Sequence, residues 1–136
     1  MTTFRTITLA VLLSLPLICQ AETVIAHPDC GVDSISESDL KNMYLGKKKT
    51  WASGNKVVLA VLSADGTANE FMRNRVGKSP SQFKSYWKKM VFTGKGAMPH
   101  EFDTEEELRA YIAAHPGAIG FVAGEAGEGV VALTVQ

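Results

Sequence analysis

Ser63, Asp65, Gly66 and Thr67 stand in the stretch LSADGTANEF, where an apolar run, VVLAVL, hands over to a helical pattern. Hydroxyls, a carboxylate and a glycine at such a junction can do one of two things. They can cap the helix, with side-chain oxygens accepting hydrogen bonds from its first N–H groups. Or they can cradle an anion, because those N–H groups lack partners within the helix and sit at the positive end of its dipole. In the cradle, the donors are the N–H groups of Gly66, Thr67 and Ala68 with the hydroxyls of Ser63 and Thr67. Both readings stay open at this level, since a helix start that binds an anion is spelled like one that is only capped.

Other chemistries find no motif. His27, His100 and His115 are far apart, and none has a histidine, cysteine or carboxylate at metal-ligand spacing, so no metal site is expected. His115 precedes Pro116 at a helix end and reads as a C-terminal cap. No Gly-x-Ser-x-Gly elbow accompanies Ser63, and FTGKGAMP lacks the first glycine and the spacing of a phosphate loop. No catalytic residue is assigned, no cofactor is expected, and the chain reads as a non-enzyme.

The formal net charge of zero conceals a segregation. Between Lys41 and Lys95 there are twelve lysines and arginines against only Asp65 and Glu70, whereas from Glu101 onward seven acids face the single Arg109. The basic middle is either a solvated face or a field that draws anions toward the segment holding Gly66 and Thr67. Base-stacking aromatics interleaved with the lysines are missing, so nucleic acid is not an expected partner.

The elements that must position this segment follow from period and punctuation. TVIAH reads as a strand closed by the turn cluster PDCG. SISESDLKNMYLG reads as a helix capped by Ser36, with Leu40, Met43 and Tyr44 inward and Gly46 as the stop. KVVLAVLS is a strand apolar on both faces, as in a sheet covered on each side. GTANEFMRNRVG is a helix, and SPSQFKSYWKKMVFTG is another, capped by Ser79 with Pro80 at its first position. In the latter, Phe83, Tyr86, Trp87, Met90 and Val91 form an apolar stripe. GKGAMPHEF is a loop, DTEEELRAYIAAHPG a helix, and AIGFVAG and VVALTVQ two closing strands. Trp51, Phe71, Phe83, Trp87, Phe92 and Ile119 are expected in the apolar core or at its edge, with the strand at 117–122 central. The order predicts an α/β three-layer sandwich with a mixed, mostly parallel sheet. Ligands of such sheets sit beyond the carboxyl ends of the strands, where LSADGT lies.

The first 21 residues carry Arg5, an apolar run from Ile7 to Ile18 and a small residue at Ala21, the pattern of a cleaved secretory signal. The run is shorter than a spanning helix, and Ile18 is too bulky for the position before a lipidated Cys19. The expected organisation is a signal peptide over 1–21 and one domain over 22–136, periplasmic, with no membrane insertion once the signal is removed. That domain keeps only Cys30, which cannot form an internal disulfide.

Taken in order, several segments resemble the second lobe of type II periplasmic substrate-binding proteins of phosphate ABC transporters. SESDLKNMYLGKKKTW is similar to that family's helix and glycine-lysine-tryptophan loop, SADGTANEF to its Asp-Gly-Ser-Gly-Thr anion loop, and HPGAIGFV to its Pro-Gly-Ala-Ile-Gly-Tyr-Val segment. The likeness spans nearly all of Thr23 to Val122 and is strongest to small stand-alone members, which also carry SPSQFKSYW and VFTGKG. It implies the fold of one lobe and an anion-holding role for Ser63, Asp65, Gly66 and Thr67. Leu62 stands where the family has an arginine, and one glycine-serine step is missing, which leaves fewer donors. The implied function is an exported solute-binding-like domain that takes phosphate or a similar small anion weakly, with a membrane transporter or sensor as a protein partner. The alternative is an envelope interaction module that docks on such a partner without a small ligand.

Overall fold

The computed structural model describes residues 22–63 and 66–136. The expected signal peptide and Asp65 lie outside the described residues. Six strands and four helices follow one another as β1 (Thr23–Ala26), β2 (Ser34–Ile35), α1 (Glu37–Tyr44), β3 (Val58–Leu62), α2 (Gly66–Phe71), α3 (Pro80–Phe92), β4 (His100–Phe102), α4 (Glu105–Ala114), β5 (Ala118–Val122) and β6 (Val131–Val135). A π-helical turn over Met72–Val76 extends α2 and ends at Gly77.

The sheet runs β2-β6-β1-β5-β3-β4. The pairs β2–β6, β5–β3 and β3–β4 are parallel, while β1 runs antiparallel to both of its neighbours. Helices cover both faces. On one side Gly120 of β5 faces Leu108 and Ile112 of α4. On the other, Phe121 stacks on Phe71 of α2 at 3.9 Å between ring centroids, and Tyr44 of α1 meets Phe71 edge-on at 5.0 Å. These are the three layers that the element order predicts, and the strand from Ala118 to Val122 is buried throughout.

Local capping works as the sequence spells it. Ser36 Oγ accepts from the Asp39 N–H at 3.0 Å, and Ser79 and Gln82 exchange side-chain-to-backbone bonds in a capping box. Thr104 Oγ1 takes the Glu107 N–H, and the His115 imidazole lies 2.7 Å from the Tyr111 carbonyl at the end of α4. Tyr44 is wholly buried and donates its hydroxyl to the Ala60 carbonyl at 3.2 Å; burial pushes its phenol well above the usual range. Cys30 is a free, buried thiol.

Three expectations are corrected. The end of the segment read as the loop GKGAMPHEF is strand β4, whose three residues pair with Ala60, Val61 and Leu62 at the sheet edge. So short a strand has too few residues to show a period, and tertiary pairing alone makes it. Ser34–Ile35, read as the approach to a helix, forms β2 for the same reason. Phe92, placed in the core, is 91% exposed, and Val91 of the stripe is 42% exposed. Five residues beyond Trp87, Phe92 lies about 140° around the helix from it and so faces out. Phe92→Ser is therefore expected to shift the thermal midpoint by no more than the equivalent of about 0.5 kcal/mol, a surface value. A larger loss in a melt would put Phe92 back in the core.

Candidate functional site

Because β3, β4 and β5 are parallel, their carboxyl ends emerge at one edge of the molecule. Ser63 follows β3, Asp103 follows β4, and Ala123 follows β5. The structure joins the first two directly. Ser63 donates its N–H to the Phe102 carbonyl at 2.8 Å, and its hydroxyl stands 2.7 Å from Asp103 Oδ1 and 3.1 Å from the same carbonyl. The Ala123 N–H donates to Glu105 Oε1 at 2.6 Å.

Two helices begin at this edge, and they differ. The start of α4 is self-sufficient: Thr104 caps it, and Glu105, Glu106 and Glu107 fill its first turn with negative charge. The start of α2 has no acid in its first turn. Gly66 there is exposed, Thr67 half-buried and Ala68 buried under the helix. Of the residues expected to hold an anion, Ser63, Gly66, Thr67 and Ala68 thus lie in one short span of backbone at the end of β3.

Asp103 was legible only as one of the acids that open α4. Its contact with Ser63 becomes visible once β4 is recognised as a strand pairing with β3, because that register sets Phe102 opposite Leu62 and Asp103 beside Ser63. The contact has a chemical consequence. The Ser63 hydroxyl has one proton, and a carboxylate 2.7 Å away takes it in a charge-assisted bond. The register thus sets the start of α2, which follows Ser63, beside a carboxylate acceptor.

An apolar groove of about 230 Å³ opens beside the turn, floored by Val61, Leu62 and Ala68 and walled by Met72 and Phe83. Among the described residues there is no group of three or more histidines, cysteines and acids that could hold a metal ion, and no helix long and apolar enough to cross a membrane.

The fold is similar to part of the substrate-binding proteins of phosphate ABC transporters. The chain superimposes on an ABC-type phosphate transport receptor from Vibrio cholerae with a TM-score of 0.63 at 12% identity, covering 85% of this chain and 46% of that one. A substrate-binding protein of a phosphate ABC transporter from Clostridium perfringens, solved with bound phosphate, gives 0.64 at 16% identity over 85% and 44% of the two chains. PstS from Borrelia burgdorferi gives 0.62 at 15% identity over 85% and 47%. The chain spans a little under half the length of these proteins. No protein-family model matches the sequence, and no curated protein matches it.

Proposed function

We propose that this chain is an exported, single-lobe solute-binding domain of the periplasm that takes a small protonated oxyanion, phosphate before others, at the β3–α2 turn. The cradle is built from Ser63, Asp65, Gly66, Thr67 and Ala68, with Gly66 and Thr67 as its donors, since the Ser63 hydroxyl proton goes to Asp103. The observation that carries the reading is the start of α2: it stands at the carboxyl end of a parallel strand, its own first turn holds no acid, and its fold is shared with receptors for phosphate. The twelve basic residues between Lys41 and Lys95 supply the attracting field.

One lobe leaves the ligand half solvated, so its hydrogen bonds compete with water. Affinity is expected in the high micromolar to millimolar range, about −4 to −6 kcal/mol. Binding should weaken with added salt. Phosphate should bind more tightly than sulfate at neutral pH, since hydrogen phosphate can donate to Asp103 and sulfate cannot.

Thr67→Ala separates the cradle from the cap. As a cradle residue Thr67 gives a hydroxyl to a charged ligand, worth about 1.5–3 kcal/mol in titration. As a plain cap it is worth ~1 kcal/mol in melting and nothing in binding. Calorimetric titration with phosphate and sulfate, beside thermal melts of both proteins, reads each quantity separately. The second reading, a docking module for a transporter or sensor, is favoured by the Ser63 hydroxyl being already engaged by Asp103. It takes over if millimolar phosphate leaves the amide resonances of Gly66 to Ala68 unmoved.

A further inference from the structure

A cavity larger than the groove at the β3–α2 turn lies elsewhere in the molecule. It holds about 530 Å³ and lies at the other end of β3, between the chain that leads into that strand and the segment that leads into β4. Its volume is that of a small-molecule pocket, within the usual range of about 300–1,000 Å³.

The floor is apolar. Met43, Val58, Leu59 and Trp87 line it, and because the Trp87 N–H is given to the Tyr44 carbonyl at 3.0 Å, the indole offers the cavity carbon only. Gly46 and Gly96 hold that ring in place: a Cβ at either would stand 2.8 Å from it, so no larger residue fits without moving the indole. The rim is cationic. Lys48, Lys49, Lys56 and Lys95 surround the opening, and no aspartate or glutamate lines it. Lys48 is paired with Asp39 at 3.0 Å, and Lys49 reaches the Lys95 carbonyl at 3.4 Å. Lys56 and Lys95 have no ion-pair partner among the described residues.

We propose that this cavity is a second ligand site, for a small amphipathic organic anion with an acid head and an apolar body. Inorganic phosphate would leave the apolar floor in contact with water, and a neutral hydrocarbon would leave two ammonium groups unanswered. Only a ligand with both parts uses the whole site, its head between Lys56 and Lys95 and its body on Trp87. The ring wedged by two glycines makes the floor ready-made, which lowers the ordering cost of binding.

The site is independent of the anion reading at the β3–α2 turn, and the two fail separately. Anilinonaphthalene sulfonate, an aromatic acid that fluoresces when its body leaves water, is the probe. It is expected to bind saturably, and Lys56→Glu/Lys95→Glu to weaken it about tenfold, the size of two charge-assisted contacts at a half-open site. Decanoate and 2-naphthyl phosphate, which carry an acyl and an aromatic body, should displace it; inorganic phosphate at the same concentration should not. Amide shifts should gather at Gly46, Lys56 and Gly96, away from Gly66 to Ala68. If charge reversal unfolds the protein, Lys56→Gln/Lys95→Gln serves, with about a threefold loss expected. Absence of saturable binding, undiminished affinity in a folded variant, or shifts centred on the β3–α2 turn would overturn the proposal.

Discussion

Gly117→Ala is expected to lower stability by about 2–5 kcal/mol, the sum of left-handed backbone strain in a residue with a Cβ and overpacking against a rigid neighbour. Gly117 has φ +87°, and a Cβ built there would stand 2.0 Å from the Lys56 carbonyl oxygen. That oxygen cannot retreat cheaply, because it belongs to the backbone that pairs with Thr50 and leads into β3. The carbonyl of Gly117 itself takes two bonds, from the Val58 N–H at 3.0 Å and from the Trp51 indole N–H at 2.9 Å. Displacing it would loosen the β3–β5 pairing and the anchor of the 47–55 loop together. Gly54→Ala is the control: φ there is +92° with nothing within 4 Å, so only backbone strain of about 1–2 kcal/mol applies. Urea melts of the two variants give the comparison directly. Equal losses would mean that the close approach at Gly117 carries no energy.

Trp87→Ala should cost about 3–5 kcal/mol, as large aromatic truncations in cores do. The side chain is 4% exposed and packs edge-on to Phe83 and Tyr86, with centroids 6.4 and 5.9 Å away. Removing it also strands the Tyr44 carbonyl, which loses the indole donor. Trp87→Phe keeps much of the bulk and loses the donor, so its cost isolates the hydrogen bond at about 1–3 kcal/mol. Against a total of about 5–15 kcal/mol for a domain of this size, either Trp87→Ala or Gly117→Ala leaves a marginal protein. A melting midpoint unchanged by Trp87→Ala would remove the indole from the core.

Much of the architecture was legible because the long elements carry redundant signals. α3 has a capping serine, Pro80 at its first position and Phe83 and Trp87 one turn apart, and each points to the same helix. β5 is a run of apolar residues following Pro116-Gly117, and the sheet buries all of it. What escaped is what pairing creates. The residues of β4 have no strand character of their own, and only the register against Ala60, Val61 and Leu62 makes them a strand. Missing β4 meant missing Asp103 as the neighbour of Ser63, forty residues away in sequence. Phe92 escaped for another reason: composition marks phenylalanine as a core residue, but the angle around α3 decides, and it points this ring outward. The cationic rim of the large cavity is a third case. Lys48, Lys56 and Lys95 read as parts of a basic stretch, and only the fold brings them around one opening.

The placement of β1 sets when the protein can fold. Among the described residues it is the first strand, yet its neighbours are the last two: Val24 lies opposite Phe121 on one side and Leu133 on the other. Neither partner is made until roughly a hundred residues later, and at about 5–20 residues per second of synthesis that is a wait of roughly 5–20 s. Pairings so distant also make for slow closure once the partners arrive. β1 therefore stays without a strand partner until β5 and β6 are made. Losing the last strand would be costly in the same way: β1 would keep one partner and β2, paired only to β6, would keep none.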